Sequence, residues 1–534
     1  MATIQPNSTI KLFTGVPLDN TYTDTLYFAS GAARDSYFNS LSPLRTFTAN
    51  SYQRVTSGVF EADCSIEQIY NANYMMFQNT GFENKWFYAF VTDLEYINNH
   101  NTRVHYEIDQ LMTWLSDCTL KQCFIEREHP TTDYVGQNIL PEPVTLGEYK
   151  YQTYGELNSA VNHYAICLMR VSVDTSAGAN GNIYDKVYSG GQLYAVDAES
   201  SSAVSSINDF LATYVQQPES IVNMYMVPLM LLPIREGTSS QADSYSQLAA
   251  VPGGIPAGFF RTQLVPVSSY TSIDGYTPKN KKLWTYPYFF YHVDNGDGAG
   301  LDCRYEFFSN GTPQFQIDGC ITSPVQLRLT PLNYKGADET GANECRSEFL
   351  TIAGYPICSW NYDTYRAWAA QNSVPMTIQG GVAAGSLVLA LATGGVGGLV
   401  AAGAGVLGTA INAVKQSYAA SIQADTVKGN IQSGNVNFSK GKMTFYGGAC
   451  GVTADYARMI DKFFTMFGYA FNQIGLPQIS ARPHWNYIKT NGCKLVGRCP
   501  ADAIAKIKQI FDQGITFWKN ASEVGDYSLD NSPV

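Results

Sequence analysis

Gly403-Ala404-Gly405-Val406-Leu407-Gly408 is a GxGxxG, and Asp425 follows its last glycine by 17 positions. Residues of these types at this spacing can let a backbone approach a pyrophosphate at a helix N-terminus, with the acid on a ribose hydroxyl. That chemistry needs a strand before the glycines, a helix after them and continued strand-helix alternation to build the sheet crevice. "GGLVAA", "TAINAVKQ" and "ASIQAD" offer the first three elements, but the stretch that follows, "VKGNIQSGNVNFSKGKMTFYGG", is short, polar and broken by glycine. The residues before the motif, "SLVLALATGGVGG", run into it without a boundary. A dinucleotide site, and with it an oxidoreductase, is therefore disfavoured.

Other chemistry is thin. Glu126-Arg127-Glu128 followed by His129 could form an acid/base cluster, although charge-dense stretches more often make structural ion pairs. Asp294-Asn295-Gly296-Asp297-Gly298 misses the calcium-loop spacing and reads as a turn. The eleven cysteines are odd in number and scattered, with no CxxC among them, and Cys493 and Cys499 near His484 lack zinc-ligand spacing. Free thiols and folding in a reducing cytoplasm are expected, with no disulfide framework and no metal. No GxSxG, HExxH or GxxxxGK[ST] occurs, and Met1 to Lys11 carries no secretory signal pattern. No catalytic residue and no cofactor is expected, which places the chain outside the enzymes.

The elements around these residues are mostly strands. The 534 residues are 45% hydrophobic and only 15% charged, with 36 Tyr and 27 Phe, and aromatic side chains suit pleated surfaces. The formal charge of −11 argues against gripping nucleic acid, which requires a basic face, while an acidic wall would let DNA pass without adhering. "NKWFYAFVTDLEYI" and "TRVHYEIDQLMTW" alternate with period two across the turn 98–101 and predict an antiparallel hairpin. Further strands are expected at 163–173, 225–234, 283–293, 305–309 and 325–332, separated by Gly/Pro/Asn/Ser clusters that favour meanders, sandwiches or barrels over βαβ units. Few helices are expected. One is placed over 454–471 with Thr453 as N-cap and Tyr456, Ile460, Phe463, Phe464 and Phe467 on one face. Another is placed after Pro500, with Ile504, Ile507, Ile510 and Phe511 in a stripe ended by Gly514.

The most unusual stretch is the one that holds the GxGxxG. Between Ala367 and Val414 lie 48 residues without one charge, nearly all Gly, Ala, Val and Leu from Ser386 to Ile411. Such a segment is long enough to cross a bilayer, for which a helix of about 20 residues suffices. Its transfer energy is marginal. Ten of the 25 residues from Leu387 to Ile411 are Leu, Val or Ile, worth about −3 to −6 kcal/mol together before the glycines erode it. The residues expected to act in a membrane are Gly381, Gly385, Leu387, Val388, Leu389, Leu391, Gly394, Gly398, Leu399, Val400, Gly403, Val406, Leu407, Gly408 and Ile411. Gly381/Gly385 and Gly394/Gly398 form GxxxG pairs that let helices approach closely in lipid. The competing reading is a buried glycine-rich core loop.

"VTDLEYINNHNTRVHYEIDQLMTW" running into "CFIEREHP", the uncharged glycine-rich stretch at about 370–415, and "RPHWNYIKTNG" with "GITFWKN" near the C-terminus together resemble the tail knob, or distal tube, proteins of small short-tailed phages of Gram-positive bacteria. The resemblance implies a mainly β (α+β) virion tail protein, with antiparallel β-barrel or sandwich tube domains, a few helices and a long inserted apolar loop. It implies assembly as a homohexamer that contacts other tail proteins (proximal tube or collar, tail tip), conducts viral DNA without sequence-specific binding, and holds apolar loops that emerge to penetrate the host cell membrane. The expected organisation is an N-terminal tube domain over 1–145, a central β-rich region over 146–340, an inserted segment over 341–440 with its apolar loop at about 370–424, and a C-terminal segment over 441–534 packing back on the tube domain. The rival readings are a pore-forming or fusion-type protein unrelated to tails and, more remotely, a wall hydrolase.

Overall fold

The computed structural model describes residues 8–50, 58–79, 83–171, 182–184, 187–189, 191–198, 221–232, 249–250, 263–267, 269–309, 313–321, 324–336, 348–355, 357–359 and 443–533. The chain divides into two units, one of Met1–Glu148, Gly275–Thr285 and Thr453–Val534, the other of Tyr149–Asp274 and Tyr286–Val452. Both are mainly β, and every strand pairing but one is antiparallel among the described residues.

In the first unit a six-stranded sheet runs in the order Arg45–Asn50, Ser8–Phe13, Tyr74–Gln78, Trp86–Asn98, Asn101–Ile108, Val59–Ala62. The hairpin at its centre turns tightly because the Asn98 carboxamide oxygen accepts from the amides of His100 (2.8 Å) and Asn101 (3.0 Å), an Asx turn. Tyr88, Ala89 and Phe90 are buried near the base of the hairpin and Leu94 still packs against the core, while Glu95 to Asn98 are exposed. There Arg103 bridges Glu95 and Glu61.

A second sheet joins chain ends that are far apart in sequence. Its order is Asp24–Leu26, Ile515–Trp518, Trp485–Asn491, Cys123–Glu128, Tyr469–Gly475, with the first pair parallel. Trp485 and Trp518 are fully buried in one apolar cluster that also takes in Phe13, Phe38, Tyr74 and Phe90, so the C-terminal residues complete the N-terminal core.

Four α-helices occur among the described residues: α1 (Gly31–Ser40), α2 (Gln110–Trp114), α3 (Ala454–Phe467) and α4 (Ala501–Gln513). The last two are amphipathic, burying Ile460 and Phe464 in α3 and Ile507, Ile510 and Phe511 in α4, which ends at Gly514 (φ 98°). Thr453 occupies the cap position of α3 in extended backbone, but its side chain makes no capping bond. Helix α3 also stops at Phe467 instead of 471. Gly468 takes φ 65° so tightly against strand Cys123–Glu128 that a Cβ there would stand 2.2 Å from the Glu128 carbonyl oxygen, and the following residues pair as a strand. Helices α1 and α2 carry no long apolar stripe. They are set by caps, Ala33 N–H donating to Ser30 Oγ and Met112 N–H to Asp109 Oδ1.

The second unit contains a sheet of Tyr149–Tyr151, Tyr446–Val452, Phe289–Asp294 and Gly300–Arg304, with Gly155–Glu156 also on Tyr446–Val452. A five-stranded sheet runs Ala249–Ala250, Gly191–Asp197, Tyr164–Val171, Ile221–Pro228, Ile357–Ser359, and a four-stranded one Gln263–Pro266, Gln314–Cys320, Gln326–Leu332, Leu350–Ile352. Three expected strands are corrected here. The 283–293 strand begins only at Phe289, because Pro287 offers no ladder N–H and Lys281–Trp284 is a 3-10 turn. The 305–309 strand is instead a 3-10 turn at Tyr305–Phe307, with the Phe307 and Phe308 rings packed against Tyr334. The 225–234 strand ends at Pro228 and continues as a turn over Leu229–Leu231.

Candidate functional site

Of the charge-dense stretch 126–129, Glu126 to Glu128 lie in strand Cys123–Glu128 and His129 follows it, and all four are consumed by packing. Glu126 pairs with Lys489 (2.8 Å), and Arg127 pairs with Glu142 and donates to the Gly468 carbonyl (2.7 Å). Glu142, itself buried, also holds Lys282 and accepts from Ala470 N–H (2.8 Å). His129 is buried, its Nδ1 accepting from Tyr487 N–H (2.8 Å) and its Nε2–H donating to Thr465 O (3.1 Å), so both ring nitrogens are spent on backbone. Burial, with Arg482 nearby, pushes its pKa down to about 3 and keeps the imidazole neutral. Burial likewise pushes Glu128 up to about 7, against one hydrogen bond from Gln478 N–H. The adjoining cavity, lined by His129, Asp133, Thr465 and Arg482, holds about 20 Å³, room for a water and not for a substrate. These residues act as a structural clamp.

Asp461, which the sequence reading did not single out, is the other half of that clamp. It faces inward from α3 and accepts from Tyr276 Oη (2.7 Å), Lys279 N–H (2.8 Å), Asn280 N–H (3.0 Å) and Asn280 Nδ2 (2.8 Å). This explains why residues 275–285, assigned by sequence to the central region, belong to the first unit. A buried Asp in an amphipathic helix is the only sequence trace of it.

In the hairpin at 294–298 Asp294 Oδ1 accepts from Gly296 N–H (2.8 Å), and Asn295 Oδ1 accepts from Asp297 N–H (2.9 Å) and Ala299 N–H (3.2 Å). Two glycines with φ of 67° and 91° complete the turn. His484 pairs with Glu523 (2.8 Å).

All fifteen candidate membrane residues, from Gly381 to Ile411, and the GxGxxG among them lie outside the described residues. What is described is how the second unit holds their two flanks. Strand Ile357–Ser359 leaves from the edge of a sheet, paired among the described residues with Ile221–Pro228 alone. After 83 intervening residues the chain returns at Met443, Thr444 and Phe445, all buried, with Thr444 Oγ1 donating to Asn158 O (3.3 Å) and Leu157 N–H to Phe445 O (2.8 Å). It then enters strand Tyr446–Val452, which is paired on both sides. The glycines of "YGGACGV" are needed there, since a Cβ on Gly448 would lie 1.7 Å from Thr153 O. Among the described residues no helix is long and apolar enough to cross a membrane.

Comparison with known proteins gives a consistent picture. Residues 260–532 match the family described as Bacillus phage phi29, Tail knob protein gp9, C-terminal domain. Residues 6–119 match Caudoviral major tail protein N-terminus. The chain is 25% identical to tail knob protein gp9 of the Bacillus phages B103, PZA and phi29, in each case over 98% of this chain and 98% of the relative. Its fold superposes on the bacteriophage C1 tail knob protein, gp12, with a TM-score of 0.60 at 16% identity, over 98% of this chain and 99% of that one.

Proposed function

This chain belongs to the phage tail knob protein family typified by phi29 gp9 and is a structural component of the virion tail, and from that premise we propose that it forms a homohexameric distal tube. DNA leaves through the tube, and the apolar segment at about 370–424 plugs the lumen before it penetrates the host membrane. The observation that carries this reading is the run of 48 uncharged residues set between two β-sheet attachments of one unit. An insert tied down at both ends can exchange protein surroundings for lipid without unravelling the sheets that carry it.

The energetics support sequestration followed by release. So long an apolar segment exposed on a monomer would drive aggregation, and the lumen of a ring covers it. A transfer energy of only about −3 to −6 kcal/mol suits a triggered segment better than a permanent span. Six copies carry a formal charge of −66, which disfavours adhesion of DNA to the wall. Contacts with neighbouring tail proteins at the two ends of the tube follow from its place in the tail.

The test is deletion of Gly381 to Gly408 in the full chain. Negative-stain imaging should show rings or tubes, without lipid, for both proteins, and dye leakage from liposomes should be lost in the deletion alone. Equal leakage from both proteins removes the segment from the mechanism. Monomers that oligomerise only on liposomes would favour a pore-forming protein over a tail tube.

A further inference from the structure

Four of the cysteines that look scattered in the sequence come together in two pairs in the first unit. The short ladder Cys118–Lys121 with Lys494–Gly497 sets Cys118 opposite Gly497, and Cys499 lies two residues beyond. Cys499 Sγ lies 3.9 Å from the Trp114 carbonyl oxygen, and the two thiols stand close enough that, after burial, Cys499 raises the Cys118 pKa. Gly497 makes room for this, since a Cβ there would stand 3.0 Å from Cys118 Sγ and 2.3 Å from the Asp117 carbonyl oxygen. At the other end of the same ladder Cys123 opens the next strand and Cys493 directly precedes Lys494, close enough for the Cys123 thiol, after burial, to raise the Cys493 pKa. The partners are 381 and 370 positions apart in the chain. All four are free thiols, Cys118 and Cys499 partly exposed, Cys123 and Cys493 buried.

We propose that Cys118–Cys499 and Cys123–Cys493 are oxidisable pairs that close to disulfides once the virion leaves the reducing cytoplasm, stapling the C-terminal segment onto the N-terminal core. The oxidant is a small disulfide of the oxidised-glutathione class. One protein thiolate attacks a sulfur of the oxidant, expelling a thiol and leaving a mixed disulfide. The second protein thiolate then attacks the protein sulfur of that bond and expels the second thiol. Each protein pair loses two electrons and two protons, and the oxidant disulfide becomes two thiols.

The surroundings set the order and the pace. Cys118 lines a cavity of about 250 Å³ with Arg34 and Ser116, large enough to admit part of a small oxidant. The partly exposed pair therefore reacts first. Burial, then the neighbouring thiol, push Cys118 up to about 12, and burial with Cys123 pushes Cys493 up to about 12. Thiolate is scarce at neutral pH, so the pairs stay reduced through assembly and close slowly afterwards.

The full chain, purified in reductant, exchanged into oxidised glutathione at pH 8.5 and alkylated, should give non-reducing peptide maps with Cys118 linked to Cys499, followed by Cys123 to Cys493. Its melting temperature should rise by roughly 5–10 °C, reversibly with reductant. Cys499→Ser should lose the first link, keep the second and show a smaller rise. Overturning results are all four thiols alkylated after oxidation, links only to glutathione or between other partners, or links that leave the melting temperature unchanged.

Discussion

Replacing Asp461 tests whether one buried carboxylate holds residues 275–285 in the first unit. The side chain is 1% exposed and receives four hydrogen bonds, two at each oxygen: Asn280 N–H and Nδ2 at Oδ1, Tyr276 Oη and Lys279 N–H at Oδ2. Hydrogen bonds to a charged group contribute about 1.5–3 kcal/mol each, but burying the carboxylate offsets part of the sum. In Asp461→Ala two backbone N–H groups lose their acceptor, and the net loss should be about 3–5 kcal/mol. Asp461→Asn keeps the shape. With its amide oxygen at the Oδ1 site it retains both Asn280 donors, lets the Tyr276 hydroxyl turn, and strands only Lys279 N–H, a loss of about 1–3 kcal/mol. For a unit of this size those losses lower the melting temperature by roughly 2–4 °C per kcal/mol. Calorimetry should therefore rank wild type above Asn and Asn above Ala, and limited proteolysis should open cleavage within 275–285 in the same order. An alanine variant melting within about 2 °C of wild type, or protected from proteolysis across 275–285, refutes the assignment of this clamp.

Glu128 predicts a pH dependence of defined sign. Its folded pKa of about 7, against an ordinary 4.5, means the folded chain keeps a proton the unfolded chain has released. Its contribution to stability therefore falls as pH rises from about 4.5 to 7 and is flat beyond. Glu128→Gln retains an oxygen for Gln478 N–H and should exceed wild type by up to about 3 kcal/mol at pH 8 but by little at pH 4; denaturation at both pH values that gives one constant difference counts against the burial argument. Gly448→Ala should force Thr153 away from strand Tyr446–Val452 at a cost of about 3 kcal/mol or more, seen as faster hydrogen exchange over 446–452 without change in the first unit's melting.

Legibility in the sequence followed the range of the interaction. The hairpin at 86–108 was readable because alternation across an Asn turn is a local property, and α4 because Pro500, an apolar stripe and Gly514 are all within one helix length. Helix α3 was readable except for its end, which Gly468 decides against the Glu128 backbone, over 300 positions away. Helices α1 and α2 were missed because a cap and one or two buried side chains leave no periodicity to see. The aromatic 305–309 stretch carried the composition of a strand, and the packing of Phe307 and Phe308 around Tyr334 turned it instead.

Composition, alternation and the uncharged run from Ala367 to Val414 determined by themselves that this is a mainly β protein with an insert unlike the rest of it. Those are properties of short windows, and they survive any rearrangement of the chain. Only the tertiary structure decided that Trp485 and Trp518 are the residues by which the C-terminal segment enters the N-terminal core, that Asp461 claims residues 275–285, that His129 is a spent backbone partner, and that four cysteines meet at the ends of one strand ladder. Each of these joins residues more than 100 positions apart, and at that separation the partner is chosen by where folding brings the backbone, which no spacing along the chain encodes.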